Sequence, residues 1–102
     1  MIHVIAVITA KPGQRDAVLQ AFKANVPAVL AEQGCIEYGA ATDVAKGPPF
    51  QVPYGPDAFV VIEKWDNMDA LKAHGASPHM LAYGARTKEL VASRVIHLLS
   101  PA

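Results

Sequence analysis

The chain has 102 residues and a mass of 10.8 kDa, with 52% apolar and 18% charged residues, which excludes a disordered chain and predicts one domain over residues 1–102. Nine Lys and Arg balance nine Asp and Glu, which excludes charge-driven nucleic-acid binding as the default. No apolar run approaches the about 20 residues of a membrane span, no signal peptide is recognisable, and the single Cys35 excludes an internal disulfide. We therefore expect a soluble, cytoplasmic protein with neither nucleic-acid nor membrane partners.

Two periodicities divide the chain into elements. Apolar residues alternate along the strands, whereas they recur at spacings of three and four along the helices. Pro27 interrupts the first helix and should kink it, because proline has no amide hydrogen to donate. The predicted elements, in order, are a strand over 2–9, a helix over about 14–32, a strand over 35–43, a strand over 58–65, a short helix from Asp66 to His74, a helix from Pro78 to about Val91 and a strand over 94–99.

The connections carry recognisable cap and loop signals. Gly34 can adopt the left-handed conformation that ends a helix. Asp66 and Ser77 are predicted N-caps, and Pro78 suits the first position of a helix. Residues 45–57 contain four prolines, a density that predicts an irregular loop, and this loop presents Phe50 and Tyr54.

The order β-α-β-β-α-β favours an α+β class with a ferredoxin-like antiparallel sheet. The helices can cover only one face of such a sheet, yet the first and third strands are apolar on both faces. A bare apolar face of that size predicts a homodimer in which two sheets pack together. The alternative is that the long loop folds back over the sheet.

A histidine-rich group is the strongest candidate for chemistry. Glu63 and Trp65 share one face of the third strand, and the helices that follow carry His74, Ser77 and His79. A neutral imidazole can accept a proton from a phenol. The alternative is purely structural: a core tryptophan beside two helix-terminal histidines. The histidine spacing lacks a metal-binding pattern, and a metal would need a third ligand such as Glu63, so we expect no metal.

The arrangement resembles the antibiotic biosynthesis monooxygenase family of small dimeric α+β-barrel proteins. The opening strand with its Lys11-Pro12-Gly13 ending is similar, and the resemblance covers essentially the whole chain. The other segments that carry it are Gly34-Cys35-Ile36-Glu37-Tyr38, Glu63-Lys64-Trp65, Ala70-Leu71-Lys72-Ala73-His74 and Ser77-Pro78-His79.

The resemblance implies a pocket between sheet and helices, with Trp65 on its wall and His74 and His79 as catalytic residues at its helical side. We also expect Glu63, Tyr83 and Arg86 to contact the substrate. The loop with Phe50 and Tyr54 is expected to be a lid or an arm that grips the partner, and the alternative is that it has no function. Haem-degrading relatives carry an Asn and a His where this chain has Ala6 and roughly Gly84, so we expect no haem and no other cofactor.

The leading functional hypothesis is a cofactor-independent monooxygenase that oxidises a small electron-rich aromatic, such as a quinol or an anthrone, with O₂. One alternative is a non-catalytic dimeric binding module for a small aromatic metabolite. A second alternative is an isomerase that uses the same pocket.

Overall fold

The computed structural model describes all residues 1–102 and shows a four-stranded sheet with three helices. The strand order is β2-β3-β1-β4, and every neighbouring pair is antiparallel. This confirms the predicted α+β class and ferredoxin-like sheet. No helix has both the length and the apolar character needed to cross a membrane. The elements are β1 (Ile2–Ala10), α1 (Arg15–Leu30), β2 (Cys35–Ala41), β3 (Ala58–Trp65), α2 (Met68–Gly75), α3 (Pro78–Thr87) and β4 (Val91–Leu99).

The last helix and the last strand have different bounds from those predicted. Helix α3 ends at Thr87 rather than near Val91, and β4 begins at Val91 rather than Arg94. The amide of Leu90 donates to the carbonyl of Thr87 at 2.9 Å, and the carbonyl of Leu90 accepts from the amide of Lys11 at 2.8 Å. These two bonds turn the chain out of the helix and attach it beside the end of β1.

The cap of α2 is Asn67, so the prediction of Asp66 was wrong. Asn67 has an extended backbone, and its side-chain oxygen accepts from the amide of Ala70 at 2.8 Å. The amide of Asp66 instead donates to the carbonyl of Gly34 at 2.9 Å, which keeps Asp66 in the β2–β3 end of the sheet. Ser77 caps α3 as predicted, and Gly34 has the predicted left-handed backbone with φ of 84°.

The helices cover one face of the sheet and enclose the core. Alternate β1 residues from Val4 to Ala10 are buried there, as period-two geometry requires. Phe22 of α1 stacks on Tyr38 of β2 with ring centroids 5.0 Å apart, and it meets Phe59 and Tyr83 edge-on. A buried aromatic ring of this kind stabilises the fold by about 1.5 to 3 kcal/mol through its apolar area, so Phe22 is the central contact between α1 and the sheet.

The opposite face of the sheet is apolar and uncovered. Ile5 and Val7 of β1 are only half-buried, while Ile62 of β3 and Val95 and Leu99 of β4 are exposed. The irregular loop does not shield this face with its large side chains, because those side chains extend into solvent: Phe50 is 76%, Val52 88% and Tyr54 59% exposed. The chain by itself therefore leaves the bare face in water.

Candidate active site

The site begins at the end of β3, where Glu63 and Trp65 lie on the helix face as their spacing predicted. The Trp65 side chain is completely buried, and its indole N–H donates to Oε1 of Glu63 at 2.9 Å. A hydrogen bond to an ionised carboxylate is stronger than a hydrogen bond between two neutral groups. The indole therefore fixes the position of the Glu63 carboxyl group.

His74 lies in the last turn of α2, directly over Trp65. The two ring centroids are 4.7 Å apart, and the ring of Tyr38 meets the imidazole edge-on at 5.5 Å. The His74 side chain is only 6% exposed. Because aromatic rings pack against it on two sides, the imidazole has a single defined orientation.

A carboxylate from the turn after α1 joins both histidines. Oε2 of Glu32 lies 2.8 Å from Nδ1 of His74 and 2.7 Å from Nε2 of His79. We call Glu32, His74 and His79 the His–Glu cluster. Ser77 supports it, since its hydroxyl donates to the carbonyl of His74 at 2.8 Å and lies 3.2 Å from Nε2 of His79.

The bond to Glu32 determines which nitrogen of His74 is free. A carboxylate only accepts hydrogen bonds, so Nδ1 of His74 carries the proton. In the neutral ring, the lone pair is then on Nε2, the opposite nitrogen. Nε2 of His74 lies 3.9 Å from Oε1 of Glu63, on the side of the ring away from Glu32.

A cavity of about 330 Å³ opens between the helix face of the sheet and helices α2 and α3. This volume is at the lower end of the range for small-molecule sites. Eleven of its 16 lining residues are hydrophobic, which suits a flat apolar ligand. The apolar wall includes Val4, Ala6, Ile8 and Val61 from the central strands, Phe22, Leu71 and Met80 from the helices, and Ile96 and Leu98 from β4.

Three polar groups converge at one end of this cavity: the side chains of Tyr38, Glu63 and His74. Burial raises the pKa of Glu63, although the indole N–H of Trp65 and the nearby His74 oppose the shift. Burial also raises the pKa of the Tyr38 hydroxyl, and the charge of Glu63 adds to it, so the Tyr38 phenol keeps its proton. The cavity thus combines a mostly apolar body with this polar end, and Arg94 of β4 lines it opposite Ile8.

The structure brings some of the predicted site residues to the cavity and leaves others away from it. Glu63, His74 and Tyr83 line it. Burial raises the pKa of Tyr83, and the guanidinium groups of Arg94 and Arg86 oppose that shift.

The remaining predicted residues are not among the lining residues. Trp65 lies buried beneath His74, His79 lies on the far side of Glu32, and Arg86 is exposed on α3. Phe50 and Tyr54 are exposed on the loop, away from the cavity wall.

Several site residues were missed by sequence reasoning. Glu32 contacts His74 across 42 positions of sequence and His79 across 47, so no local pattern signals it. Arg94 lines the cavity from β4 because it lies opposite Ile8 in the sheet register. The alternation of β4 could have identified Arg94, since the register places residues 94, 96 and 98 on the helix face.

Metal-ligand geometry arises with Glu32 and not with Glu63, the third ligand suggested by the sequence. The ligand atoms of Glu32, His74 and His79 all lie within 4.8 Å of one another. Glu63 is on the opposite side of the His74 ring, at Nε2.

Fold and site together define a small α+β protein with a mostly apolar cavity between sheet and helices and an oriented histidine at the polar end of that cavity. Comparison with known proteins agrees. Residues 1–86 match the family model described as antibiotic biosynthesis monooxygenase, and the chain belongs to this family.

Individual relatives match nearly end to end. The chain is 44% identical over 103 aligned positions to the protein named "Probable quinol monooxygenase YgiN" of Escherichia coli K12, and the match covers 99% of this chain and 98% of the relative. The crystal structure of PA3566 from Pseudomonas aeruginosa is 28% identical, covers 99% of this chain and 93% of its own, and superposes with a TM-score of 0.83. The structure of Rv0793 from Mycobacterium tuberculosis is also 28% identical, and the match covers 99% of this chain and 94% of Rv0793 with a TM-score of 0.80.

Proposed function

We propose that this chain is a cofactor-independent monooxygenase that oxidises a small electron-rich aromatic, with quinols as the favoured class and anthrones as the next. Family membership supports monooxygenase chemistry, and the name of the Escherichia coli relative favours a quinol. The cavity of about 330 Å³ is mostly apolar, with Tyr38, Glu63 and His74 at one end and Arg94 on its β4 side, which suits a flat ring with a hydroxyl group.

The observation that carries the proposal is the orientation of His74. Its Nδ1 is held by Glu32 at 2.8 Å, and its ring lines the cavity. The free Nε2 can therefore take a proton from a hydroxyl group bound at the polar end. Glu32 acts through His74, so it is a positioning residue.

The reaction begins when Nε2 of His74 removes one phenolic proton. The quinolate then gives one electron to O₂, and the resulting semiquinone and superoxide combine to form a carbon–oxygen bond. The peroxide anion recovers the proton from His74, and loss of one water gives a hydroxyquinone. Quinol and O₂ thus yield hydroxyquinone and water, and all four electrons that reduce O₂ come from the substrate. The protein supplies orientation, proton transfer and exclusion of water.

Other side chains have supporting roles in this proposal. Glu63 and Tyr83 contact the bound ring. Trp65 positions Glu63 through the hydrogen bond of 2.9 Å from its indole nitrogen, and it positions His74 by ring packing with centroids 4.7 Å apart. His79 is the second donor to Glu32 at 2.7 Å and helps to fix the carboxylate. Arg86, on the exposed side of α3, would act only at the entrance, and Phe50 and Tyr54 would act only if the loop moved or met a partner chain.

We also propose that the working form is a homodimer joined through the bare sheet face. The exposed Ile62, Val95 and Leu99 support this, because soluble monomers rarely leave a contiguous apolar patch of this size in water. A single free cysteine, Cys35, agrees with a reducing compartment, so the cytoplasm remains the predicted location.

The test is oxygen uptake with a panel of naphthoquinols that have a free ring position, corrected for autoxidation of each quinol. The wild type should accelerate uptake and incorporate one atom of ¹⁸O₂ into the quinone product. His74→Gln should lower the rate by about 10² to 10⁴, the usual contribution of a general base. The exposed variant Glu89→Gln, in the turn before β4 and outside the cavity lining, is the control and should retain wild-type activity.

Other results would select the alternatives. Saturable binding of the quinol with no uptake above autoxidation would favour a binding module and overturn the proposal. Turnover in anaerobic buffer would indicate an isomerase. Full activity in His74→Gln would remove His74 from the mechanism.

Glu32→Gln tests the positioning role separately. The amide no longer fixes the proton of His74 on Nδ1, so kcat should fall by at least about tenfold while KM changes little, since Glu32 does not line the cavity. A change confined to KM would contradict the assignment.

A further inference from the structure

We propose that the His–Glu cluster binds a divalent transition-metal ion of the zinc type, and that this ion prevents His74 from acting as a base. The cluster lies behind the His74 ring, on the side away from Glu63. The proposed reaction needs no metal there, so the ion would be a regulator. Binding is argued from geometry alone, whereas its effect on catalysis rests on the proposed function.

The donor set suits such an ion. Two imidazole nitrogens and one carboxylate oxygen are common zinc ligands, with bonds of about 2.0 to 2.2 Å. Adjacent ligands around a tetrahedral ion at that distance are about 3.3 to 3.6 Å apart. Two of the three pairs in the cluster are already at 2.7 and 2.8 Å, and all three ligand atoms lie within 4.8 Å of one another. Small side-chain movements would therefore admit the ion.

The fold assembles these ligands from three separate elements. Glu32 follows α1, His74 lies in the last turn of α2 and His79 lies in the first turn of α3. Glu32 and His74 are 13% and 6% exposed, whereas the His79 side chain is 28% exposed. The buried pair gives a preformed site, and the more open His79 gives the ion a route from solvent and leaves room for a water as the fourth ligand.

Metal binding changes the proton arrangement of His74. Without metal, Nδ1 carries the proton and the lone pair is on Nε2, on the Glu63 side of the ring. An ion on Nδ1 must use the lone pair of that nitrogen, so the proton of the neutral ring moves to Nε2. In that form, Nε2 can donate a hydrogen bond but cannot accept a proton. Occupancy by metal and activity as a base therefore exclude each other.

The binding test uses metal alone, without any substrate. Equilibrium dialysis with Zn²⁺ should give one ion per chain, and Co²⁺ should give the visible absorption of a four-coordinate site. Mg²⁺, which prefers oxygen ligands, should not compete. His79→Ala should weaken Zn²⁺ binding by at least about tenfold, while the exposed His97→Ala should bind like the wild type. Equal affinity in His79→Ala and the wild type would overturn the site.

A second variant keeps the site testable if His79→Ala does not fold. Glu32→Gln keeps the size of the side chain but removes its charge, and it should also weaken Zn²⁺ binding by at least about tenfold. Thermal unfolding shows that each variant is folded. A folded Glu32→Gln that binds Zn²⁺ like the wild type would contradict the proposed ligand set.

The consequence for His74 is tested by ¹⁵N NMR of its ring nitrogens, which is independent of any activity. Zn²⁺ should move the proton from Nδ1 to Nε2, and EDTA should reverse the change. In the oxygen-uptake assay, Zn²⁺ should inhibit and EDTA should restore the rate. Failure of the proposed function would remove only the uptake result, whereas Zn²⁺ binding without a change at His74 would overturn the regulatory role.

Discussion

The indole nitrogen of Trp65 and Oε1 of Glu63 are joined by a hydrogen bond of 2.9 Å on one face of the same strand. The tryptophan is wholly buried, whereas the carboxyl group forms part of the cavity wall. This pair therefore connects the buried core to the polar end of the candidate active site. A substitution at one of the two residues should change the energetic contribution of the other.

Trp65→Phe tests this connection. The phenyl ring keeps most of the apolar contact but leaves Oε1 of Glu63 buried without its donor, so the free energy of unfolding should fall by about 2 to 4 kcal/mol in urea denaturation. Glu63→Gln, in which an amide oxygen still accepts from the indole, should cost about 1 kcal/mol or less. The double variant should lose less than the sum of the two single losses; strict additivity would show that the bond does not couple the residues.

Gly34→Ala should destabilise the fold for two separate reasons. Gly34 has a left-handed backbone with φ of 84°, and an added Cβ would lie 2.6 Å from the Cβ of Ala70 on α2. The backbone strain costs about 1 to 2 kcal/mol and the overpacking about 1 to 3 kcal/mol more. Gly13→Ala is the matched control, because Gly13 has φ of 78° with nothing within 4 Å of an added Cβ. Equal losses in the two variants would show that contact with Ala70 is unimportant.

The irregular loop should loosen in acid because of Asp43. Its two carboxylate oxygens accept from the amides of Tyr54 and Gly55, each at 2.9 Å, and these bonds lower the pKa of Asp43. A carboxyl group with a lowered pKa in the folded state contributes stability that is present above its unfolded value of about 3.9 and is lost as the pH falls through the folded value. Protection of the Tyr54 and Gly55 amides from hydrogen exchange should therefore decrease below about pH 4.

Two controls belong to this loop experiment. The amide of Gln51 donates to the backbone carbonyl of Pro48 at 2.9 Å, so its protection should not follow the titration of Asp43. Asp43→Asn should abolish the acid dependence at Tyr54 and Gly55. If that dependence persists in Asp43→Asn, another group is responsible.

Self-association should depend on the bare sheet face. Ile62→Lys places a charge at the centre of this face, so sedimentation should show a shift from dimer towards monomer, because an unpaired charge buried in an apolar interface is unfavourable. Leu81→Lys, at a side chain that is 63% exposed on α3, should leave the assembly unchanged. A wild-type chain that sediments as a monomer at every concentration would contradict the homodimer.

Local patterns were sufficient for much of the fold. The alternation from Ala58 to Trp65 gave the bounds of β3 and the shared face of Glu63 and Trp65, because a strand permits only two side-chain directions. Ser77 followed by Pro78 marked the start of α3, since both residues satisfy the open end of a helix.

Tertiary contacts explain what the patterns missed. Asp66 and Asn67 are both good caps by type, and the bond from the amide of Asp66 to Gly34 across the sheet edge leaves the cap to Asn67. Glu32 has no local signature at all, because its partners are on two later helices. Trp65 shares the predicted face, but the packing of His74 above it separates the indole from the cavity.

Strand β4 pairs only with β1, and most of its side chains are exposed, yet Ile96 and Leu98 form one wall of the cavity. This exposed edge strand is therefore also a ligand contact. By thermodynamic linkage, a compound that binds only when this strand is closed lowers the population of its locally opened state, and fraying of the strand in turn lowers the affinity for the compound. Amide exchange along residues 94–98 is thus a built-in reporter of occupancy that needs neither a chromophore nor turnover.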